Sequence, residues 1–175
     1  QQLDLAIKAV FKSWKSQRAI DYRERHNIPA DLGTACSIVA MVFGNTGTNS
    51  GTGVYFTRDN STGEKRPYGD FLNNAQGDDV VSGKFPTLKL RELEKIYPDI
   101  YRQLIEIGER LEREYKEMQD IEFTIQEGSL YILQRRTGKR TGKAAIKIAV
   151  DMAKEGLISR KEAILRVSYS DLAQL

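Results

Sequence analysis

Apolar residues at Leu3, Ala6, Ile7, Val10 and Trp14 recur at the spacing of one helix face, which predicts a first helix with a buried stripe. A second helical stretch over 17–26 stops ahead of Ile28-Pro29, because the residue before a proline is driven out of the helical region. Residues 34–43 are apolar and partly β-branched and predict a strand, and 53–57 predict another. Between them runs a glycine-rich loop over 44–53, and a third strand runs toward Phe71-Leu72. From 88 to 118 the pattern is helical with a break at Pro98, after which Tyr101, Leu104, Gly108, Leu111, Tyr115 and Met118 share a face. Two strands follow over 120–126 and 130–136, then helices over 143–155 and 159–166, the last opened by Ser159 with Glu162 three residues on. The pattern is α+β, a mostly antiparallel β-sheet with flanking helices.

The two late strands carry the sharpest signal. Alternation puts Asp120, Glu122 and Thr124 on one face and Ile121, Phe123 and Ile125 on the other. A three-residue turn containing Gly128 keeps the apolar face apolar, pairing Ile125 with Tyr131 and Phe123 with Leu133. The same register sets Glu122 opposite Gln134 and Asp120 opposite Arg136. Two readings fit this cluster. Carboxylate and amide oxygens suit a hard cation, and a guanidinium grips phosphate. The alternative is a solvated polar face with cross-strand charge pairs.

Composition narrows the class. The 175 residues are 40% hydrophobic and 29% charged, with a net charge of +3, which suits one globular domain and gives no basic footprint for nucleic acid. No run is long and apolar enough for a membrane span, and nothing at the start resembles a signal peptide. The chain lacks an initiator Met and reads as cut from a longer protein. The single cysteine, Cys36, forms no internal disulfide and reads as a small buried residue, in keeping with a cytoplasmic protein.

Other candidates carry less. The loop over 44–53 has glycines at 44, 47, 51 and 53, whose bare backbone can approach an oxyanion, but the spacing matches neither a Rossmann nor a kinase loop. A flexible hairpin fits it as well as a phosphate lid does. Residues 138–144 fail as a Walker A loop: the interval is one residue short, and Ala144 stands where a hydroxyl is required. They read as a basic linker entering a helix. His26, the only histidine, reads as a helix-end residue, and one His with one Cys excludes an ordinary zinc site.

Several segments together resemble the nucleotide-binding domain of the pyruvate phosphate dikinase family. They are Asp31-Leu32-Gly33-Thr34-Ala35, Met41-Val42-Phe43-Gly44-Asn45, Ser50-Gly51-Thr52-Gly53-Val54 and Phe56-Thr57-Arg58. Thr62-Gly63-Glu64-Lys65, Asn74-Ala75-Gln76-Gly77, Met118-Gln119-Asp120-Ile121-Glu122-Phe123-Thr124, Leu133-Gln134 and Gly138-Lys139-Arg140-Thr141 extend the match. The resemblance implies an ATP-grasp fold, of which residues 1–175 would be the C-terminal subdomain. Residues 143–175 would then lead toward a phosphohistidine domain further along the parent chain. It implies ATP and Mg²⁺ as ligands. Glu122 and Gln134 would lie nearest the metal, Arg136 and Glu122 would be catalytic, and Asp120 would complete the polyphosphate cluster. Gly51, Thr52 and Gly53 would contact phosphates as part of a lid, with Asp78 and Val39 at the nucleotide.

Two positions depart from the family's pattern. Val39 stands where a glutamine usually reads the adenine, and Asp78 stands where a glutamate is usual. Arg135, commonly Thr, should point away from the site. The parent enzyme would interconvert ATP, phosphate and pyruvate with AMP, pyrophosphate and phosphoenolpyruvate, would be a homo-oligomer, and would supply the other ATP-grasp subdomain. Alone, this segment would be inactive. A stand-alone nucleotide-binding or regulatory module is the alternative, and an ordinary interaction domain would show no nucleotide response at all.

Overall fold

A computed structural model describes residues 1–174, the side chain of residue 81 apart. It divides into two units, Gln1–Met41 and the chain from Val42 onward. In the first unit, α1 (Gln2–Ser13) and α2 (Gln17–Arg25) form where the apolar spacing places them. Ser16 caps α2 by accepting from the Ala19 N–H, satisfying one of the donors a helix start leaves unpaired. Arg23 is buried over the Trp14 ring, 4.0 Å from its centroid, and its Nη1 donates to the Trp14 carbonyl. The predicted stripe on α1 is not covered, since no residue of that helix is buried. His26 caps the C-terminus of α2, and Cys36 is half-buried rather than buried.

The strand expected over 34–43 does not form. Apolar β-branched composition describes a surface that fits a sheet, but a strand exists only where a neighbour satisfies its backbone groups. Ile38, Val39 and Met41 are exposed, Val39 to 81%.

The second unit is built on a five-stranded antiparallel sheet in the order β3-β2-β1-β4-β5. These strands are β1 (Gly51–Phe56), β2 (Tyr68–Asn73), β3 (Leu88–Lys89), β4 (Gln119–Gln126) and β5 (Ser129–Thr137). β1 begins earlier than the sequence pattern suggested, because two glycines let its neighbours close in. A Cβ on Gly51 would lie 2.5 Å from the Phe71 ring, and one on Gly53 would lie 2.7 Å from the Phe123 ring. One sheet face packs Tyr55, Phe71, Ile121, Phe123 and Ile125 against Leu90 and Leu93 of α4 (Leu90–Ile96) and Ile100 and Leu104 of α5 (Pro98–Tyr115). Pro98 opens α5, where its missing N–H costs nothing.

The buried line of α5 is Ile100, Leu104, Gly108 and Glu112, so Leu104 and Gly108 hold as predicted while Tyr115 is left exposed. Glu112 takes a core position because it meets Arg58, which is 0% exposed. Arg58 donates from Nη2 to Glu112 at 2.7 Å and from Nη1 and Nη2 to Glu155 at 2.9 Å each. Glu112 also accepts from the Thr57 hydroxyl (2.6 Å), which itself accepts the Gln119 N–H (3.0 Å).

A second cluster joins Met118 to Ala144, Ile148 and Met152 of α6 (Gly142–Lys154) and Ala163 of α7 (Arg160–Arg166). Thr141 caps α6, so the basic run before it is a linker into a helix, and Ser159 and Glu162 form the expected capping box. The short helices α3 (Gly77–Val81) and α8 (Tyr169–Leu172) complete the unit. Among the described residues, no helix is long and apolar enough to cross a membrane.

Candidate functional site

β4 and β5 close through Glu127 and Gly128, both with positive φ (51° and 79°), a two-residue turn rather than the expected three. The pairs next to the turn therefore differ from expectation: Ile125 faces Leu130 and Phe123 faces Ile132. A β-bulge at the Glu122/Phe123 step then inserts Leu133 as an extra residue. Beyond it, Glu122 faces Gln134 and Asp120 faces Arg136, as predicted. The turn is one residue shorter than expected, and the bulge restores that residue before the polar cluster begins.

The bulge also changes which way Leu133 looks. Alternation from a three-residue turn assigns it to the core face with Phe123. In the structure it lines a cavity of about 270 Å³ together with Thr52, Gly53, Val54, Asp78 and Glu122. Gly128 supplies one of the two positive φ values that a two-residue turn needs, but Glu127 is not a residue that favours the other, so the turn length is only weakly marked in the sequence.

Beside the cavity the charged groups converge. Arg136 Nε donates to Asp120 Oδ2 at 2.7 Å, and its Nη2 lies 3.2 Å from Glu122 Oε1. Asp120 is buried, Glu122 is partly covered and the Arg136 side chain is 50% exposed. The hydrogen bond to Asp120, then the charges of Asp120 and Glu122, hold the Arg136 guanidinium above its ordinary pKa range. Gln134 sits directly across from Glu122 and is exposed. Arg135 turns to the opposite face, where it stacks on Tyr115 with its Cζ 3.4 Å from the ring centroid.

The neighbouring strand extends the same face, with Thr52 across from Thr124, Val54 from Glu122 and Phe56 from Asp120. Thr52 lies in β1 rather than in the loop before it. Its hydroxyl donates to the Phe123 carbonyl at 3.0 Å and lies 3.3 Å from the Thr124 hydroxyl. The loop itself is tied down. The Gly128 N–H donates to Asn49 O (2.8 Å), the Glu127 N–H to Ser50 Oγ (3.1 Å) and Tyr97 Oη to Thr48 O (2.6 Å).

The structure thus brings Thr52, Gly53, Asp78 and Glu122 to one cavity and sets Asp120, Gln134 and Arg136 beside it on the same hairpin. Gly51 is buried under Phe71 and does not line the cavity, and Val39 belongs to the other unit. A hollow of about 910 Å³ within the first unit is larger, but a single carboxylate, Asp21, lines it. Among the described residues no group of three or more His, Cys, Asp or Glu side chains could hold a metal ion by itself. The donor set of Asp120, Glu122 and the Gln134 amide suits a hard cation that brings further oxygens with it, as Mg²⁺ does with phosphates.

Comparison with known proteins identifies the family. The family model described as the pyruvate phosphate dikinase AMP/ATP-binding domain matches residues 1–91 and 85–157. Pyruvate, phosphate dikinase of Clostridium symbiosum is 52% identical over 99% of the chain. The chloroplastic pyruvate, phosphate dikinase of Flaveria trinervia is 56% identical over the whole chain, and the Rhizobium meliloti (strain 1021) protein is 53% identical over 99% of it. The chain spans 20%, 18% and 21% of the length of these three relatives, respectively.

Proposed function

Since the chain belongs to the pyruvate phosphate dikinase AMP/ATP-binding domain family, we propose that its polar hairpin face binds the phosphates of ATP together with a divalent cation. The observation that carries this is the convergence of Asp120, Glu122, Gln134 and Arg136 beside a cavity with an apolar wall. In this reading Glu122 and Gln134 supply oxygens to Mg²⁺, and Asp120 holds Arg136 in reach of the phosphates. Val54 and Leu133 offer the apolar surface on which the nucleoside rests. The metal neutralises charge on the phosphates. The chain's own part is to orient them and to meet developing negative charge with the Arg136 guanidinium.

The wider reading places this chain in an ATP-grasp domain, as its C-terminal subdomain, within a cytoplasmic enzyme of homo-oligomeric form. That enzyme interconverts ATP, phosphate and pyruvate with AMP, pyrophosphate and phosphoenolpyruvate, through a histidine on another domain. The second ATP-grasp half would come from the rest of the parent chain, and this segment alone would not turn over.

An amide NMR titration with Mg²⁺ and a non-hydrolysable ATP analogue tests the reading. Shifts should cluster at residues 44–54, 120–124 and 134–136. Glu122→Ala should weaken them by at least about tenfold in affinity, or ~1.4 kcal/mol. Nucleotide binding that leaves 120–136 undisturbed would overturn it.

A further inference from the structure

Arg136 is a cation already seated between two carboxylates, Asp120 that holds it and Glu122 that a metal ion would use. Its Nε edge is tied to Asp120 at 2.7 Å and one terminal nitrogen lies 3.2 Å from Glu122. The two contacts differ in strength. The bond to buried Asp120 is short, whereas Glu122 is partly exposed and held by the longer one. Asp120 is therefore the pivot, and Glu122 is the ligand the guanidinium can release.

Charge decides when it does so. The trio carries one net negative charge, two carboxylates against one guanidinium. A bare divalent ion arriving at Glu122 meets a fixed positive group within a few ångströms and has nothing to offer it. A metal ion arriving on a polyphosphate brings anionic oxygens with it. The guanidinium can then turn about its Asp120 bond from Glu122 to phosphate while the metal takes the vacated carboxylate oxygen. Each charge keeps a partner throughout.

We propose that Arg136 is a specificity-determining residue that screens Glu122 from free divalent cations and yields it to a metal–polyphosphate complex. This rests on the binding reading above and adds an order of loading to it. The cavity side of Glu122 leaves room for that exchange, because the 270 Å³ hollow is lined by Glu122 itself together with Thr52 and Asp78.

The test compares Mn²⁺ binding, followed by electron paramagnetic resonance without nucleotide, in the wild-type chain and Arg136→Gln. Each protein is then titrated with Mg²⁺ and the ATP analogue. Arg136→Gln should bind Mn²⁺ alone at least about tenfold more tightly and the metal–nucleotide complex about tenfold more weakly. Arg136→Lys, which keeps the charge, should bind Mn²⁺ alone as weakly as wild type does. Arg136 is half exposed on an edge strand, and circular dichroism melting checks that each variant is folded.

Unchanged or weaker Mn²⁺ binding in Arg136→Gln overturns the inference even if wild type binds metal–nucleotide normally. A gain of Mn²⁺ binding with no metal–nucleotide binding in any protein would leave the screening role standing and remove the nucleotide reading beneath it.

Discussion

Two arginines in the second unit each sit between two carboxylates, and their surroundings give them opposite characters. Arg58 is fully buried and donates to both oxygens of Glu155 and to both oxygens of Glu112. Glu112 and Glu155 are occupied in turn by Thr57 and Lys65. Burial alone would lower the Arg58 pKa, but the bonds it donates to Glu112 and Glu155 outweigh that, so the ion stays charged. Arg136 has the same partners by type, yet half its side chain is exposed and it holds each carboxylate by a single nitrogen. A saturated, buried ion has nothing left to give a ligand. An unsaturated, half-exposed one can exchange partners. The two clusters are also joined along the chain: the Thr57 hydroxyl accepts the Gln119 N–H, and Gln119 immediately precedes Asp120. The structural cluster fixes the strand start from which the candidate site is hung.

Making the same substitution at both arginines is the sharpest way to break the comparison. Arg58→Gln leaves the Glu112 carboxylate without its cation in the interior, while Glu155 keeps Lys65 and solvent, and should cost about 3–5 kcal/mol of unfolding free energy, read from urea denaturation. A loss under about 1 kcal/mol would mean that water reaches Glu112 and the cluster is not a buried one.

The next effect in size is acid sensitivity. Burial by itself would raise the Glu155 and Asp59 pKa values. Arg58 and Lys65 outweigh it at Glu155, and the Thr62 and Ser61 amides with Arg66 outweigh it at Asp59. Both carboxyls are therefore held below their ordinary values. Their contribution to stability is present above the unfolded values of about 4 and is lost as pH falls through the lower folded ones. Urea midpoints measured from pH 6 to pH 3 should fall below about pH 4, and less steeply in Arg58→Gln, which removes the cause at Glu155. A parallel profile in that variant would assign the acid loss elsewhere.

The smallest effect is expected at the exposed member. Arg136→Gln removes the cation from buried Asp120 but leaves it an amide donor and nearby solvent, so it should cost about 1–2 kcal/mol of unfolding free energy, less than Arg58→Gln, while it alters metal binding. A large stability loss there would make Arg136 a second structural ion.

Local rules explain which parts were legible in the sequence. The helix break at Pro98, the capping box at Ser159 and the alternation over 120–126 depend on residues close in sequence, and they stand in the structure as expected. The strand expected over 34–43 needed a partner that sequence composition does not contain. The outer pairs of the hairpin hinged on a turn length that the position of Gly128 left open, and so did the face of Leu133. Nothing near Glu112 in the sequence marks it for burial, because its partner Arg58 lies 54 positions earlier in the chain.

The bulge at Leu133 works as an expansion joint. The hairpin tip is pinned to the glycine-rich loop, while the other end of the hairpin is pinned by the Asp120–Arg136 pair. The spare residue lies between these two fixed ends. A sequence of this kind can vary at its tip, in turn length or in loop contacts, and let the joint absorb the mismatch. The charged machinery then keeps its alignment.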